Sequence, residues 1–208
     1  MQRRRIVSTV WLTLILFVAA GLLIWFVYRP WALSWGATAA ETAGPMPGDA
    51  IVANPSWCAT RAVTVDAPAD AIWPWLVQMG YLKGGFYSYD RLDNDGIPSA
   101  ETIIPEYQGL EVGDLIPLSR TAHVRVVEMN RPGSMVWQFV TTGGWSDATW
   151  VWSLAPQGPG RTRLLTRLRI GPVTWRQRLF LDLGEIVMMR KCMLGIKRRT
   201  EAGGGGAA

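Results

Sequence analysis

From Ile6 to Tyr28 the chain runs 23 residues without a charged side chain. A helix needs roughly 20 apolar residues to cross a bilayer, so the run predicts one transmembrane helix over Ile6–Tyr28. Arg3, Arg4 and Arg5 precede it and only Arg29 follows closely. The more basic flank stays inside, which predicts a single-pass protein with a cytoplasmic N-terminus and an extracytoplasmic domain. Trp25, Tyr28, Trp31 and Trp35 gather at the far end, where amphipathic rings favour a membrane interface. The rival reading is a signal peptide cleaved near Ala37-Thr38-Ala39. The apolar run is well beyond the roughly 7–15 residues of a signal core and the triplet lies far past its end, so a retained anchor is expected.

The remaining length fits one ordinary domain in a chain of 208 residues. With 49% hydrophobic and 18% charged residues, apolar material is ample, which excludes a wholly disordered chain. The formal net charge of +5 is localised at the two ends. Arg29 to Pro172 carries 11 basic and 13 acidic residues, so no nucleic-acid surface is expected. His123 is the only histidine, and Cys58 and Cys192 lie far apart in sequence. Neither a His/Cys metal site nor a cofactor is therefore expected.

The pattern divides the chain into a basic N-terminus (1–5), the apolar helix (6–28), a linker (29–56), a folded domain (57–200) and a glycine-rich disordered tail (201–208). Ala59 to Val65 alternates as a strand, and Ile72, Trp73, Leu76, Val77 and Met79 recur at helical spacing. Phe86 to Asp95 is read as a short helix. Strand-like runs follow over 110–118, 123–129, 135–140, 149–154 and 163–170, separated by Pro/Gly turns, the spacing of an antiparallel meander. Val173 to Thr200 closes the chain as a long helical pattern with a wide apolar face. Gly184 and Gly195 interrupt it, and Gly184 is expected where that helix approaches the sheet or a ligand. The fold class is α+β: an antiparallel sheet wrapped around a long C-terminal helix, preceded by one transmembrane helix.

The run Ala62-Val63-Thr64-Val65-Asp66-Ala67-Pro68-Ala69-Asp70-Ala71-Ile72-Trp73-Pro74-Trp75-Leu76-Val77-Gln78-Met79-Gly80 resembles the opening of the SRPBCC superfamily. These are the START-like helix-grip proteins, which include polyketide cyclase/dehydrase and lipid-transport-type domains. Gly84-Gly85-Phe86-Tyr87-Ser88-Tyr89-Asp90, Val112-Gly113-Asp114 and Met193-Leu194-Gly195-Ile196-Lys197-Arg198-Arg199 are similar to one uncharacterised bacterial branch. The resemblance implies a cavity between sheet and long helix that holds a hydrophobic small molecule. It carries over no catalytic residue. Met188-Met189 stands where relatives often have Met-Glu, so any role of that acid is absent.

Phe86-Tyr87-Ser88-Tyr89-Asp90 with Asp93 forms the densest polar and aromatic cluster, after two glycines that permit unusual backbone angles. They are expected as a mobile cavity rim with Asp90 near the ligand's polar end. Asp90 is the candidate catalytic residue, because a carboxylate facing an apolar cavity is raised in pKa and can transfer a proton. The alternative is that Asp90 binds backbone while the aromatics close the cavity. Trp150 and Trp152 share a face with Leu154 and should look inward, and Leu183 and Val187 on the last helix complete the expected ligand-binding set. Glu101, Glu106 and His123 are weaker candidates with ordinary surface roles available. The expected function is a membrane-anchored binder of a lipid-like or isoprenoid-like molecule. The alternatives are a cyclase or dehydratase using Asp90 or a tyrosine as proton donor, and a structural domain without ligand.

Overall fold

The computed structural model describes residues 2–141 and 144–204. The apolar segment forms α1 (Gln2–Leu23), one π-helical turn (Ile24–Tyr28) and α2 (Arg29–Ser34) as a continuous rod, since every junction residue keeps right-handed helical angles. Pro30 cannot donate to the preceding turn, and the π turn immediately before it accommodates the ring without ending the helix. Among the described residues, Trp11–Ser34 is long and apolar enough to cross a membrane. Its last residues belong to the fold: Ala32 is buried, the Tyr28 hydroxyl donates to Leu183 O at 2.8 Å, and Arg29 pairs with Asp182 at 2.9 Å.

Residues 29–56, expected as a linker, are folded onto the domain. Gly36, at φ +71°, turns the chain across β1 (Trp57–Val65) at a point where a side chain would run into the Ala62 carbonyl. A short helix α3 (Ala39–Ala43) follows, started by a reciprocal Thr38/Glu41 capping box. The strap is held by arginines at alternate positions of β6 (Thr162–Ile170), which all point to one face. Arg163 pairs with Glu41 at 2.7 Å, Arg167 pairs with Asp49 at 2.7 Å and donates to Gly44 O, and Arg169 donates to Val52 O. These contacts satisfy loop carbonyls and carboxylates that composition alone left without partners.

Glu41 shows the consequence. Its hydrogen bonds with Arg163 hold its carboxyl down to about 2, against an ordinary 4.5. A depressed carboxyl stabilises the fold above its unfolded pKa and loses that contribution as pH falls through the folded value. Glu41→Gln should therefore cost about 1 kcal/mol at neutral pH, as for a partly exposed pair, with the difference vanishing between pH 4.5 and about 2. Chemical denaturation of both proteins across that range checks it.

The sheet has the order β1-β6-β5-β4-β3-β2 and is antiparallel throughout, with β2 (Leu115–Pro117), β3 (His123–Asn130), β4 (Ser134–Thr141) and β5 (Gly144–Pro156). Irregularities at Val126/Glu128 and Gln138/Val140 break the ladder and curve the sheet. Its concave face carries Val124, Val126, Met135, Trp137, Trp152, Leu154 and Leu164, packed against α4 (Ala69–Val77) and the inner face of the C-terminal helix, and a single turn α5 (Asp90–Asp93) lies between α4 and β2 in the chain.

That helix is two helices. Thr174 caps α6 (Trp175–Leu183), Gly184 ends it, and α7 (Glu185–Gly204) completes the grip. A side chain at Gly184 would meet Phe180 in its own helix, 3.2 Å from the carbonyl and 3.3 Å from the ring, and not the sheet. The close approach expected at Gly184 occurs at Gly195, where an added Cβ would collide with the Tyr87 carbonyl and lie 2.8 Å from Tyr87 Cβ. The tail also begins later than expected, because Glu201–Gly204 continue α7, while 205–208 lie outside the described residues. Cys58 and Cys192 are free; Cys58 lies toward the strap and Cys192 in the interior beyond the sheet, so they do not meet.

Candidate functional site

Where α6 leaves the sheet and α7 begins, the two layers part and leave a half-open cavity of about 330 Å³. Phe139 and Trp150 on β4 and β5, and Leu168 and Ile170 at the end of β6, form one wall. Phe180 and Leu181 of α6 with Met188, Met189 and Cys192 of α7 form the other. Phe86, Ser88, Asp93 and Leu118 close the end. The wall is mainly aromatic and aliphatic because inward strand positions alternate while Leu181, Glu185, Met188 and Cys192 follow one helical stripe.

Most polar groups in the wall are already committed. Trp150 Nε1 donates to Thr166 Oγ1 at 2.8 Å, and Ser88 Oγ donates to the Met188 carbonyl at 3.0 Å. Glu185 is held by Arg61, whose Nη1 donates at 2.9 Å and whose Nε donates to Ala32 O at 2.7 Å. Burial nonetheless pushes the Glu185 carboxyl up, against the pull of Arg61. Burial likewise raises the Cys192 thiol, with Asp93 and Glu185 adding to the effect, so it stays protonated and is no nucleophile.

Asp93 differs. Both carboxylate oxygens are shut off from solvent without a hydrogen-bond donor in acceptable geometry. Burial raises its pKa, and the neighbouring Asp90 charge raises it further. Ser88 and the local backbone lie near enough to temper that rise, but the Ser88 hydroxyl hydrogen is directed at Met188. An apolar cavity thus has one uncommitted carboxyl at its edge, able to donate when protonated or to accept when charged.

The expected residues are distributed over several places. Phe86 and Trp150 lie in this cavity wall. Trp152 is fully buried in the core, its ring 5.3 Å from that of Trp150 and 6.3 Å from that of Trp137. Asp90 and Tyr87 border a separate polar groove with Ser99, Glu101, Lys191, Arg198 and Arg199. Ser99 Oγ donates to Asp90 Oδ1 at 2.5 Å, so the carboxylate facing the apolar cavity is Asp93 and not Asp90. The Tyr87 hydroxyl donates to Trp75 O at 2.9 Å. Tyr89 is partly exposed beneath Lys191, 3.8 Å from its ring centre. Leu183 and Val187 lie off the helical stripe that faces the cavity.

The segment 84–93, expected as a mobile rim, is pinned. Gly80 and Gly85 bridge, Tyr87 N donates to Ser99 Oγ at 3.0 Å, and Ala100 N donates to Gly84 O at 2.9 Å. Its glycines serve close packing, since a side chain at Gly84 or Gly85 would strike Gln78 or Ser99. Of the residues missed in sequence, Leu168 and Ile170 were readable from β6 alternation and Met188 and Cys192 from helical spacing. Asp93 belonged to the expected cluster, but nothing in its spacing marked it, and not Asp90, as the carboxyl beside the cavity.

Among solved structures, a protein of Nitrosospira multiformis superposes with a TM-score of 0.50 at 11% identity, over 72% of this chain and 99% of that one. The fold is the START-like helix grip. A polyketide-cyclase-like protein of Corynebacterium glutamicum (TM-score 0.38, 16% identity, 70% and 92% covered) and the Aha1 dimer of Colwellia psychrerythraea (TM-score 0.49, 13% identity, 71% and 98% covered) are also similar. No family model and no curated protein matches the sequence. The helix-grip domain covers the residues from β1 onward; the apolar rod and strap precede it.

Proposed function

We propose that this helix-grip domain is a membrane-anchored binding protein for an amphipathic small molecule, lipid-like or isoprenoid-like. Its N-terminus would be cytoplasmic and its domain extracytoplasmic, on the strength of the three leading arginines. The molecule's hydrocarbon part lies against Phe139, Trp150, Leu168 and Met189, and its polar end meets Asp93 once that side chain, whose oxygens are shut off from solvent, turns toward the cavity. The uncommitted Asp93 carboxyl carries this reading. A buried acceptor without a partner is costly, and a ligand hydroxyl or amine would supply the missing hydrogen bond.

A cyclase or dehydratase remains the second reading, and one observation favours it: a raised carboxyl in an apolar cavity is what a general acid requires. The proton donor would then be Asp93, because Asp90 and the Tyr87 hydroxyl are engaged elsewhere.

Native mass spectrometry of the full chain released from detergent tests both. A retained amphiphile with a hydroxyl or amine is expected, and an empty wild-type protein would overturn binding. Asp93→Asn should weaken retention about tenfold, the loss of one charge-assisted hydrogen bond. The same variant should be more stable at neutral pH by on the order of 1 kcal/mol, since it no longer desolvates a charge. A raised folded pKa favours the fold at low pH, so that gap should close as pH falls toward 3.8. Conversion of the retained molecule by wild type and not by Asp93→Asn would establish the enzyme.

A further inference from the structure

The nine-residue helix α6 turns Leu181 and Asp182 inward and leaves large apolar side chains outside. Trp175 is 72% exposed, Leu179 54% and Phe180 59%. Phe180 also lines the cavity, so this apolar face and the cavity mouth are continuous. A soluble surface does not ordinarily gather such residues on one helix.

What covers them follows from where α6 is tied. Its C-terminal end is bonded to the rod at the point where exposed apolar helix gives way to the domain: Tyr28 Oη donates to Leu183 O, and Arg29 pairs with Asp182. Asp182 is itself fixed by Trp57 Nε1 at 2.8 Å. Residues Leu22 to Val27 of the rod are exposed and apolar, with Trp25 and Trp31 beside the junction. If the rod crosses a bilayer, the membrane boundary falls near Arg29. Trp175 lies eight residues from Leu183, so at 1.5 Å per residue all of α6 stays within about 12 Å of that junction. The nearby cations suit the same place: Arg176, which helical spacing sets between Leu179 and Phe180, lies over the Trp175 ring at 5.3 Å, and Arg190 lies over the Trp35 ring at 5.3 Å, just past the end of the rod. Arginine at such a boundary buries its stem and keeps its head among phosphates.

We propose that α6 lies in the membrane interface, with Trp175, Leu179 and Phe180 among the acyl chains, and that the cavity mouth beside Phe180 opens to lipid instead of water. The occupant of this face is the bilayer to which the chain's own rod is anchored. The cavity then draws its ligand from molecules dissolved in that bilayer, an inference that rests on the binding reading above.

Spin labels placed singly at Trp175→Cys, Leu179→Cys and Phe180→Cys test it in the full chain. The chain carries Cys58→Ser and sits in nanodiscs of phosphatidylcholine and phosphatidylglycerol. Cys192 is 3% exposed with its thiol pushed up, so it stays unlabelled. Gln157→Cys, in the turn at the opposite end of β5 and β6, is the aqueous control. The labels on α6 should collide several-fold more with oxygen and several-fold less with a water-soluble nickel chelate than the control. Accessibility to the chelate equal to that of residue 157 would overturn the proposal. So would low accessibility to both reagents, which marks a protein partner or a second copy. Native mass spectrometry of the same samples separates the two claims. A retained amphiphile with water-exposed labels leaves binding standing and removes the membrane contact; lipid-embedded labels with an empty cavity do the reverse.

Discussion

Gly195→Ala should destabilise the domain by about 3 kcal/mol, while Gly184→Ala changes it by less than about 1 kcal/mol, although both glycines interrupt the same stretch of helical sequence. The difference is geometric. At Gly195 the new methyl group would collide with the Tyr87 carbonyl and lie 2.8 Å from Tyr87 Cβ. Tyr87 has nowhere to retreat: it holds φ at +57°, its hydroxyl donates to Trp75 O, and Arg199 lies 4.8 Å from its ring centre. A non-glycine residue in that region is kept there only by dense surroundings, so displacing it disrupts the packing that holds it. At Gly184 the methyl group would meet only the Phe180 carbonyl and the edge of an exposed ring. Urea unfolding followed by near-ultraviolet circular dichroism, which reports the core tryptophans, checks the pair. Equal stabilities would mean that α7 does not pack on Tyr87 at that distance.

Arg61→Ala should cost about 3–5 kcal/mol, the range for leaving a buried charge without its partner. Arg61 is 1% exposed and joins three parts of the molecule: it sits on β1, binds Ala32 O at the end of the rod, and pairs with Glu185 at the start of α7. Its removal orphans a carboxyl already pushed up by burial. Adding Glu185→Gln should therefore recover part of the loss. The single variant should also be relatively less destabilised as pH falls, because a raised carboxyl is protonated more readily in the folded state. Thermal unfolding of the single and double variants between neutral and acidic pH reads both effects. A double variant no more stable than Arg61→Ala would show that lost packing, and not the stranded charge, accounts for the cost.

Much of the architecture is legible in local pattern. Alternation along 123–129 and 163–170 marks strands because successive side chains point to opposite faces, and Pro/Gly turns between them force antiparallel neighbours. The uncharged run before Arg29 marks a helix fit for a membrane because length and hydropathy are themselves the criterion. The segment 29–56 was not legible. Its alanines, glycines and prolines have no periodicity, and it is ordered by arginines more than a hundred residues away on β6.

The site divides along the same line. Trp150 on the inner face and an apolar stripe on the last helix follow from periodicity, which the sequence determines alone. Which carboxyl meets the cavity does not. Asp90 and Asp93 lie in one turn of helix, yet Asp90 reaches Ser99 in a polar groove and Asp93 is sealed beside Phe86 and Cys192. Leu183 and Val187, by contrast, fall opposite the stripe of Leu181, Glu185, Met188 and Cys192 on helical spacing alone, since that stripe runs unbroken across Gly184. A periodic pattern specifies a face because neighbours along the chain share one local geometry. The solvation of a carboxyl depends on atoms brought near it from distant parts of the chain, and only the tertiary structure places them.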